Sequence, residues 1–446
     1  MVKLEKDTAQ YIAQHQLLSH HGKYLVALSG GADSVSLLLI LQHLGYSIEA
    51  CHCNFHLRGE ESDRDELFCV ELCQQHSIPL HRIHFDTKEY AALHKVSIEM
   101  AARDLRYRYF EQLKKDLDMD AICVAHHKDD SVETVLINLI RGTGINGLTG
   151  ISPKNGHIIR PLLSVGRKDI LSYLDAQQQG YVTDSTNLMD DATRNKIRLH
   201  IIPMLKKINP AVVDNIAHTA YHLTEANKML QGIISESHIV STDTIHDTIA
   251  IDKQRLLSQA SPEFALHSVL NAYHFSGNVI KDILGSINSS GKIWQSSTHQ
   301  LVIDRKQILI RAIGDTTFKP IFIPEEGYYT LSDKQKIRVT FLKRSSEFKP
   351  SKEQAKVTLD ADKIKFPLRI RRTQAGDRFR PFGMKGSKLI SDYLTDCKCN
   401  TFEKEEQLVV EDATNNIVWL VGRRTSDTCR IDDNTQAILQ LEITDH

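Results

Sequence analysis

The sequence predicts an α/β chain: a doubly wound parallel sheet over the first ~210 residues, then a mainly helical middle domain and an α+β C-terminal domain. Three observations predict it. Short apolar, β-branched runs alternate with segments of helical length, the pattern of parallel βαβ units. A glycine-rich turn, Ser29-Gly30-Gly31-Ala32-Asp33-Ser34, joins the first such run to an apolar helix. Late in the chain, alternation at Ile337 to Leu342 and Val357 to Leu359 indicates antiparallel strands with one face buried. At 446 residues the chain exceeds one ordinary core. Breaks at Asn209-Pro210 and near Gly314 to Pro324 divide it into domains 1–210, 211–316 and 317–446.

The elements follow in order. Tyr24 to Leu28 reads as a buried strand, and Ser34 starts a helix with no breaker before Gly45. Ile48 to Phe55 is a second strand, Glu60 to Gln75 an amphipathic helix, and Leu80 to Phe85 a third strand. Ile98 to Leu117 is a long helix and Ala121 to Ala125 a fourth, buried strand. From Ala211 to about Ala260 the chain reads as mostly helical, with a turn at Ser241 to Thr248. Pro262 to Asn288 continues as helices, and Trp294 to Arg311 forms a hairpin.

In a doubly wound sheet, ligands bind beyond the carboxyl ends of the strands, and the motifs fall there. The turn at 29–34 lets backbone N–H groups converge on a phosphate, with the positive end of a helix behind them. It lacks the ending of a Walker A loop and the spacing of G-x-G-x-x-G, and it resembles the pyrophosphate-binding loop of the PP-loop ATP pyrophosphatases. The second strand runs into His56-Leu57-Arg58, and the fourth into His126-His127-Lys128-Asp129-Asp130-Ser131-Val132-Glu133-Thr134. Asp130 and Glu133 share a helix face, so His126, Asp130 and Glu133 are candidates to converge on a cation or an amine. Arg141 to Gly150 holds four glycines in ten residues, which suits a mobile loop closing over substrate. After Asp184-Ser185-Thr186-Asn187 comes a basic stretch from Arg194 to Asn209 with five Lys/Arg and no acid. There Arg194 and Arg198 are spaced to grip one phosphate.

Composition narrows the alternatives. Lys plus Arg is 55 and Asp plus Glu is 56, so only local charge can signal a polyanionic partner. The N-terminal residues have no apolar core of a signal peptide, and no run approaches the ~18 residues of a spanning helix, so a cytoplasmic protein without a membrane is expected. The eight cysteines include no C-x-x-C pair and read as structural thiols.

With these residues in view, the chain resembles the tRNA(Ile)-lysidine synthetase family. The matching blocks are Ser29 to Ser34, His56 to Arg58, His126 to Thr134, Arg141 to Gly150, and Asp184 to Asn187 with Arg194 to Arg198. The resemblance implies a PP-loop, adenine nucleotide alpha hydrolase-like N-terminal domain. It also implies a ligase forming a carbon–nitrogen bond. ATP would adenylate the wobble cytidine of an isoleucine tRNA with a CAU anticodon, and lysine would displace AMP, giving lysidine and recoding the tRNA from AUG to AUA. Under this resemblance Ser29, Gly30, Gly31, Ala32, Asp33, Ser34, Arg58 and His126 bind ATP, and Asp33 and Asp130 hold Mg²⁺. Asp33, Asp130, Glu133, Arg194 and Arg198 are the catalytic candidates, with Glu133 binding the lysine ammonium or accepting its proton. A homodimer is left open.

The C-terminal domain adds a basic stretch. Between 365 and 388 there are eight Lys/Arg and one acid, a net charge of +7, with Phe379 and Phe382 among them. Arg371, Arg372, Arg378, Arg380, Lys385 and Lys388 are the candidate tRNA contacts. The stretch resembles the family's C-terminal domain, expected to clasp the acceptor arm. From 397 to 408 the chain departs from the family pattern, with Cys399-Asn400 and Lys404. A tRNA 2-thiolation enzyme would need paired cysteines, and a glutamine-dependent ligase an amidotransferase nucleophile. A non-catalytic tRNA-binding scaffold would have no use for Asp33, Asp130 and Glu133.

Overall fold

Leu25 and Val26 are fully buried because each faces a different helix layer. Val26, with Tyr24 and Leu28, packs on the helix that follows, whereas Leu25 packs with Phe110 and Ile122 on the other side. That alternation is what period-two side chains produce in a sheet covered on both faces. The computed structural model describes residues 2–183, 193–243, 247–314, 318–332, 335–345, 348–351 and 353–445. The chain divides into two compact units, Met1–Gln231 and Gly232–His446.

The first unit runs α1 (Lys3–Gln14), β1 (Lys23–Ala27), α2 (Ala32–His43), β2 (Ser47–Asn54), α3 (Glu60–Gln75), β3 (Leu80–His84), α4 (Thr87–His94), α5 (Ile98–Asp116) and β4 (Ala121–Cys123). It continues with α6 (Lys128–Ile140), α7 (Ile145–Leu148), β5 (Lys154–Asn155), β6 (Ile158–Ile159) and α8 (Arg167–Ala176). Then come α9 (Thr193–Lys196), a π-helical turn at Ile197–Ile201, α10 (Ile202–Ile208) and α11 (Val212–Glu236), the last containing the boundary between the units. The sheet order is β3-β2-β1-β4-β6-β5, parallel except for the edge strand β5. Leu37 to Leu41 of α2 are all buried, since α1 and α8 cover its outer face. An apolar face all round suits a helix buried on every side.

The expected strands and helices of this unit appear within a residue or two. The glycine-rich segment after α6 is folded, where a mobile loop was expected. α7 packs on α6, with Asn138 Nδ2 donating to Gly147 O at 2.7 Å. The Ser131 hydroxyl accepts from the Ile151 amide at 3.0 Å. A Cβ at Gly150 would meet that hydroxyl at 2.3 Å. Glycine here serves close packing.

The second unit begins with β7 (Val240–Asp243), β8 (Thr248–Asp252), α12 (Lys253–Leu257), α13 (Pro262–Leu270), α14 (Gly277–Gly285), β9 (Ile293–Gln295), β10 (His299–Ile303) and β11 (Gln307–Ala312). The expected helices and the β10–β11 hairpin are present, but within the stretch expected to be mostly helical the chain forms β7 and β8, which join the hairpin in an antiparallel sheet of order β7-β8-β11-β10-β9. The turn expected at 241–248 joins β7 to β8, with its tip outside the described residues. Next come β12 (Ile321–Ile323), β13 (Gly327–Thr330), β14 (Gln335–Lys343), β15 (Lys356–Asp360), β16 (Leu368–Arg372), β17 (Arg378–Phe379) and β18 (Lys388–Leu389). α15 (Ile390–Asp396), α16 (Thr401–Glu406), β19 (Leu408–Glu411), β20 (Ile417–Leu420), β21 (Arg424–Thr425) and β22 (Ala437–Asp445) complete it. Two sheets, β12-β16-β19-β20-β21 and β13-β14-β22-β15, close over a core centred on Trp419, Ile337, Leu368 and Leu439. The divergent stretch near 400 is α16, capped by Asn400, whose side chain accepts from the Glu403 amide at 2.9 Å. Phe402 packs on Ala250, Val302 and Leu309, with the Arg311 guanidinium 4.1 Å from its ring centre. Among the described residues no helix is long and apolar enough to cross a membrane.

Candidate active site

β1 leads through Leu28 into Ser29-Gly30-Gly31, and α2 begins at once. Gly30 has φ +85°, and a Cβ there would lie 2.7 Å from Val182 Cγ2, so the turn tolerates glycine alone. The Ser29 amide donates to Ser34 Oγ at 3.1 Å, and Ser34 Oγ donates to Gly31 O at 3.0 Å. These bonds hold the turn open around the first amides of α2, which have no partner within the helix. The loop therefore offers N–H groups and a helix dipole to an anion.

β4 lies beside β1, and α6 starts just past its end. His127 is buried there, with Nε2 3.6 Å from Asp33 Oδ1 and 3.4 Å from Asp130 Oδ2. Its Nδ1 is 3.6 Å from Asp129 Oδ2. Burial alone would push its pKa down, but Asp129, Asp130 and Asp33 outweigh that and hold it above the usual value. Asp129 is drawn down to about 2: burial opposes this, and His127 with the Arg167 amide overcomes it. Arg167, at the start of α8, pairs its guanidinium with Asp33.

The two arginines spaced to grip a phosphate grip a carboxylate instead. Arg198 holds Glu133 in a two-point contact, Nε to Oε1 at 2.6 Å and Nη2 to Oε2 at 3.0 Å. Arg194 Nε lies 3.3 Å from Glu133 Oε2, and its Nη2 donates to Thr134 Oγ1 at 2.9 Å. Arg198 Nη2 also reaches Asp130 Oδ1 at 3.3 Å. Burial, with Asp130 beside it, holds the Glu133 pKa above its usual value, and the guanidiniums of Arg198 and Arg194 offset only part of that rise. In the structure Glu133 anchors Arg194 and Arg198, three contacts that its two oxygens accept together. Arg58 reaches α3, with Nη2 2.9 Å from Asp65 Oδ2. Asp184 to Asn187 lie outside the described residues.

Several participants were not foreseen: His127, Asp129, Arg160 and Arg167. Arg160 left the clearest signal, a lone cation inside the apolar run Ile158-Ile159-Arg160-Pro161-Leu162-Leu163. Its Nε donates to His126 Nδ1 at 3.1 Å. Among the described residues no group of three or more His, Cys, Asp or Glu is set to hold a metal. Two carboxylates, Asp33 and Asp130, nonetheless stand at one His127 nitrogen. That number fits Mg²⁺, which takes few protein ligands and completes its shell with phosphate oxygens and water.

In the second unit four of the eight basic residues of the stretch pair with acids, most of these from elsewhere in the chain. Arg371 is buried and pairs with Asp377 and Glu411, both at 2.7 Å. It is a core residue and is not open to RNA, which corrects its assignment. Phe379 is likewise buried, against Ile390 and Leu394. Arg369 also pairs with Glu411, Lys388 with Asp396, and Arg380 with Asp427 at 3.2 Å. Lys385 is exposed, and so is Arg378, whose Nε donates to Ser387 Oγ at 3.2 Å. Arg372 is half-buried beside them in sequence. Phe382 is 47% exposed, with Arg424 packed 5.7 Å from its ring centre, and offers a stacking face.

Residues 2–205 match the model of the PP-loop domain, and residues 244–313 that of the TilS substrate binding domain. The tRNA(Ile)-lysidine synthase of Bacteroides thetaiotaomicron is 43% identical, over 99% of this chain and 100% of its own. That of Parabacteroides distasonis is 44% identical over 96% and 97%. That of Dehalococcoides mccartyi is 30% identical over 98% and 99%.

Proposed function

The chain belongs to the tRNA(Ile)-lysidine synthase family, and we propose that its two strand-end motifs carry out that ligation in the following way. The 2-position carbonyl oxygen of the wobble cytidine attacks the α-phosphorus of ATP, and the bond to pyrophosphate breaks. The neutral ε-amine of lysine then attacks C2, the C2–O bond breaks, and AMP and a proton leave. The product is lysidine, and the tRNA is recoded from AUG to AUA.

Ser29, Gly30, Gly31, Ala32 and Ser34 cradle the phosphates. Asp33 and Asp130 hold Mg²⁺, which when bound neutralises charge on the phosphate oxygens. Because Asp33 is paired with Arg167 in the structure, that pair opens as the nucleotide arrives, and the guanidinium is released toward the phosphates. Glu133 fixes Arg194 and Arg198, whose remaining donors face the charge that develops on the α-phosphoryl group. The observation that carries this reading is the meeting of Asp33 and Asp130 at His127, across the ends of adjacent strands. Residues 1–210 are then the catalytic domain, 211–316 a tRNA-contacting linker, and 317–446 the basic tRNA-binding domain. Arg372, Arg378, Lys385 and the stacking face of Phe382 are its RNA contacts. The protein works in the cytoplasm, and light scattering tests whether it forms a homodimer.

The test mixes the protein with Mg²⁺-ATP, labelled lysine and an isoleucine tRNA bearing the CAU anticodon, with a CAU methionine tRNA as control. Lysine incorporated into the isoleucine tRNA alone is the expected result. Pyrophosphate release with another tRNA, and no incorporation, would overturn the substrate. Tight binding with neither product would favour a scaffold.

A further inference from the structure

Arg160 and His126 form a pair that the scheme above leaves unused. We infer that Arg160 is a positioning residue that locks His126 as its Nε2–H tautomer, so that His126 donates a hydrogen bond to the α-phosphoryl oxygens of the bound nucleotide and never serves as a base. The inference rests on the ligation reading for its ligand and on the structure alone for its tautomer.

The chemistry of the pair is one-directional. A guanidinium has donors and no acceptor, so the Arg160 Nε–H, 3.1 Å from His126 Nδ1, requires a lone pair on that nitrogen. The ring proton must then sit on Nε2. Arg160 cannot turn away: it is 8% exposed, and Nη1 is tied to the Ser152 carbonyl at 2.8 Å. His126 Nε2 has no protein hydrogen-bond partner among the described residues. The imidazole is also hard to charge, with its pKa pushed to about 4 by burial, then by Arg160, Arg194 and His127 against the pull of Asp130.

The register says where this donor stands. Val26 of β1 is level with Cys123 of β4. β1 and β4 are parallel neighbours, so His126, which follows β4, and Ser29, which follows β1, both lie past the carboxyl ends of these strands, where the phosphate turn stands. Negative charge gathers on the α-phosphoryl oxygens as the cytidine is adenylated and again as AMP departs. A neutral donor of fixed direction serves both steps without changing its protonation.

Two experiments test this on the full chain. The first records the ring-nitrogen resonances of ¹⁵N-histidine-labelled protein at pH 7, with His126 assigned by its loss in His126→Gln. An Nε2-protonated, Nδ1-unprotonated pattern is expected. An Nδ1–H tautomer or an imidazolium would overturn the inference, whatever reaction the protein catalyses. The second measures lysidine formation. His126→Ala should lose about 10²-fold in kcat, as loss of one preorganised donor does. His126→Gln, whose amide N–H replaces Nε2–H, should lose at least ~10-fold less; equal losses would refute a donor role. Arg160→Ala should cost about 10-fold in the wild type but under ~3-fold beside His126→Gln, because it acts through the histidine. An equal cost in both backgrounds would show a merely structural arginine. If Arg160→Ala does not fold, the wild-type spectrum alone decides.

Discussion

Replacing Glu133 with glutamine keeps its shape and removes the charge that organises Arg194 and Arg198. Breaking a buried ion pair from one side costs about 3–5 kcal/mol when the surviving charge has no access to water. Here the Glu133 side chain is 2% exposed, but Arg198 is 35% exposed and Arg194 42%, so both guanidiniums regain solvent in part. The expected loss is therefore smaller, about 2–3 kcal/mol. For a unit of 231 residues that lowers its melting temperature by roughly 4–12 °C. Differential scanning calorimetry of the full chain reads this directly. Lysidine formation should fall about 10²-fold as well, since the arginines lose the template that aims them. An unchanged melting temperature with a raised KM for lysine alone would refute the reasoning. It would mean that Glu133 meets the amine after all.

Other outcomes follow from the same structure. Arg371→Met should destabilise the second unit by about 3 kcal/mol, because Glu411 at 1% exposure is left with less of its compensation. Lys385→Ala should instead leave the melting curve unchanged and lower the salt dependence of tRNA binding by about 0.7–0.9 in log–log slope. Gly30→Ala should cost about 1–2 kcal/mol from the left-handed backbone alone and weaken nucleotide binding, measured by calorimetric titration. Asp129, near 2 in the fold and about 3.9 unfolded, contributes on the order of 2 kcal/mol that is fully present above the unfolded value. That contribution is lost as the pH falls through the folded value. The Asp129→Asn variant should therefore be less stable than wild type at pH 7, and the gap should close towards pH 2.

Local pattern carried the strands and helices around the phosphate loop almost to the residue, because each is specified by periodicity within its own segment. What pattern could not carry was pairing at a distance. Arg198 is spaced to grip a phosphate in sequence, yet its partner Glu133 lies 65 positions away and reaches it only after folding. The +7 of residues 365–388 is real as composition, but Glu411, Asp427 and Asp396 come from later elements and answer much of it. Of the sheet β7-β8-β11-β10-β9 the sequence showed the hairpin and not β7 and β8, which are short and lie among helices that dominate the apolar spacing. Arg160 was legible in principle, since a cation inside an apolar run must find a buried acceptor.

The sheet order β13-β14-β22-β15 has a consequence for the newborn chain. β14 ends at Lys343, and its neighbour β22, which lies between β14 and β15, does not begin until Ala437. At ordinary translation speeds that interval is roughly 5–20 s. Through it, β14 waits with an unpaired edge and with Ile337 and Val339 uncovered, a template for any passing strand. Ribosome-associated chaperones are well placed to shield such a wait. A premature stop just ahead of Ala437 would make it permanent, turning a late frameshift into an aggregation-prone product rather than a slightly shortened enzyme.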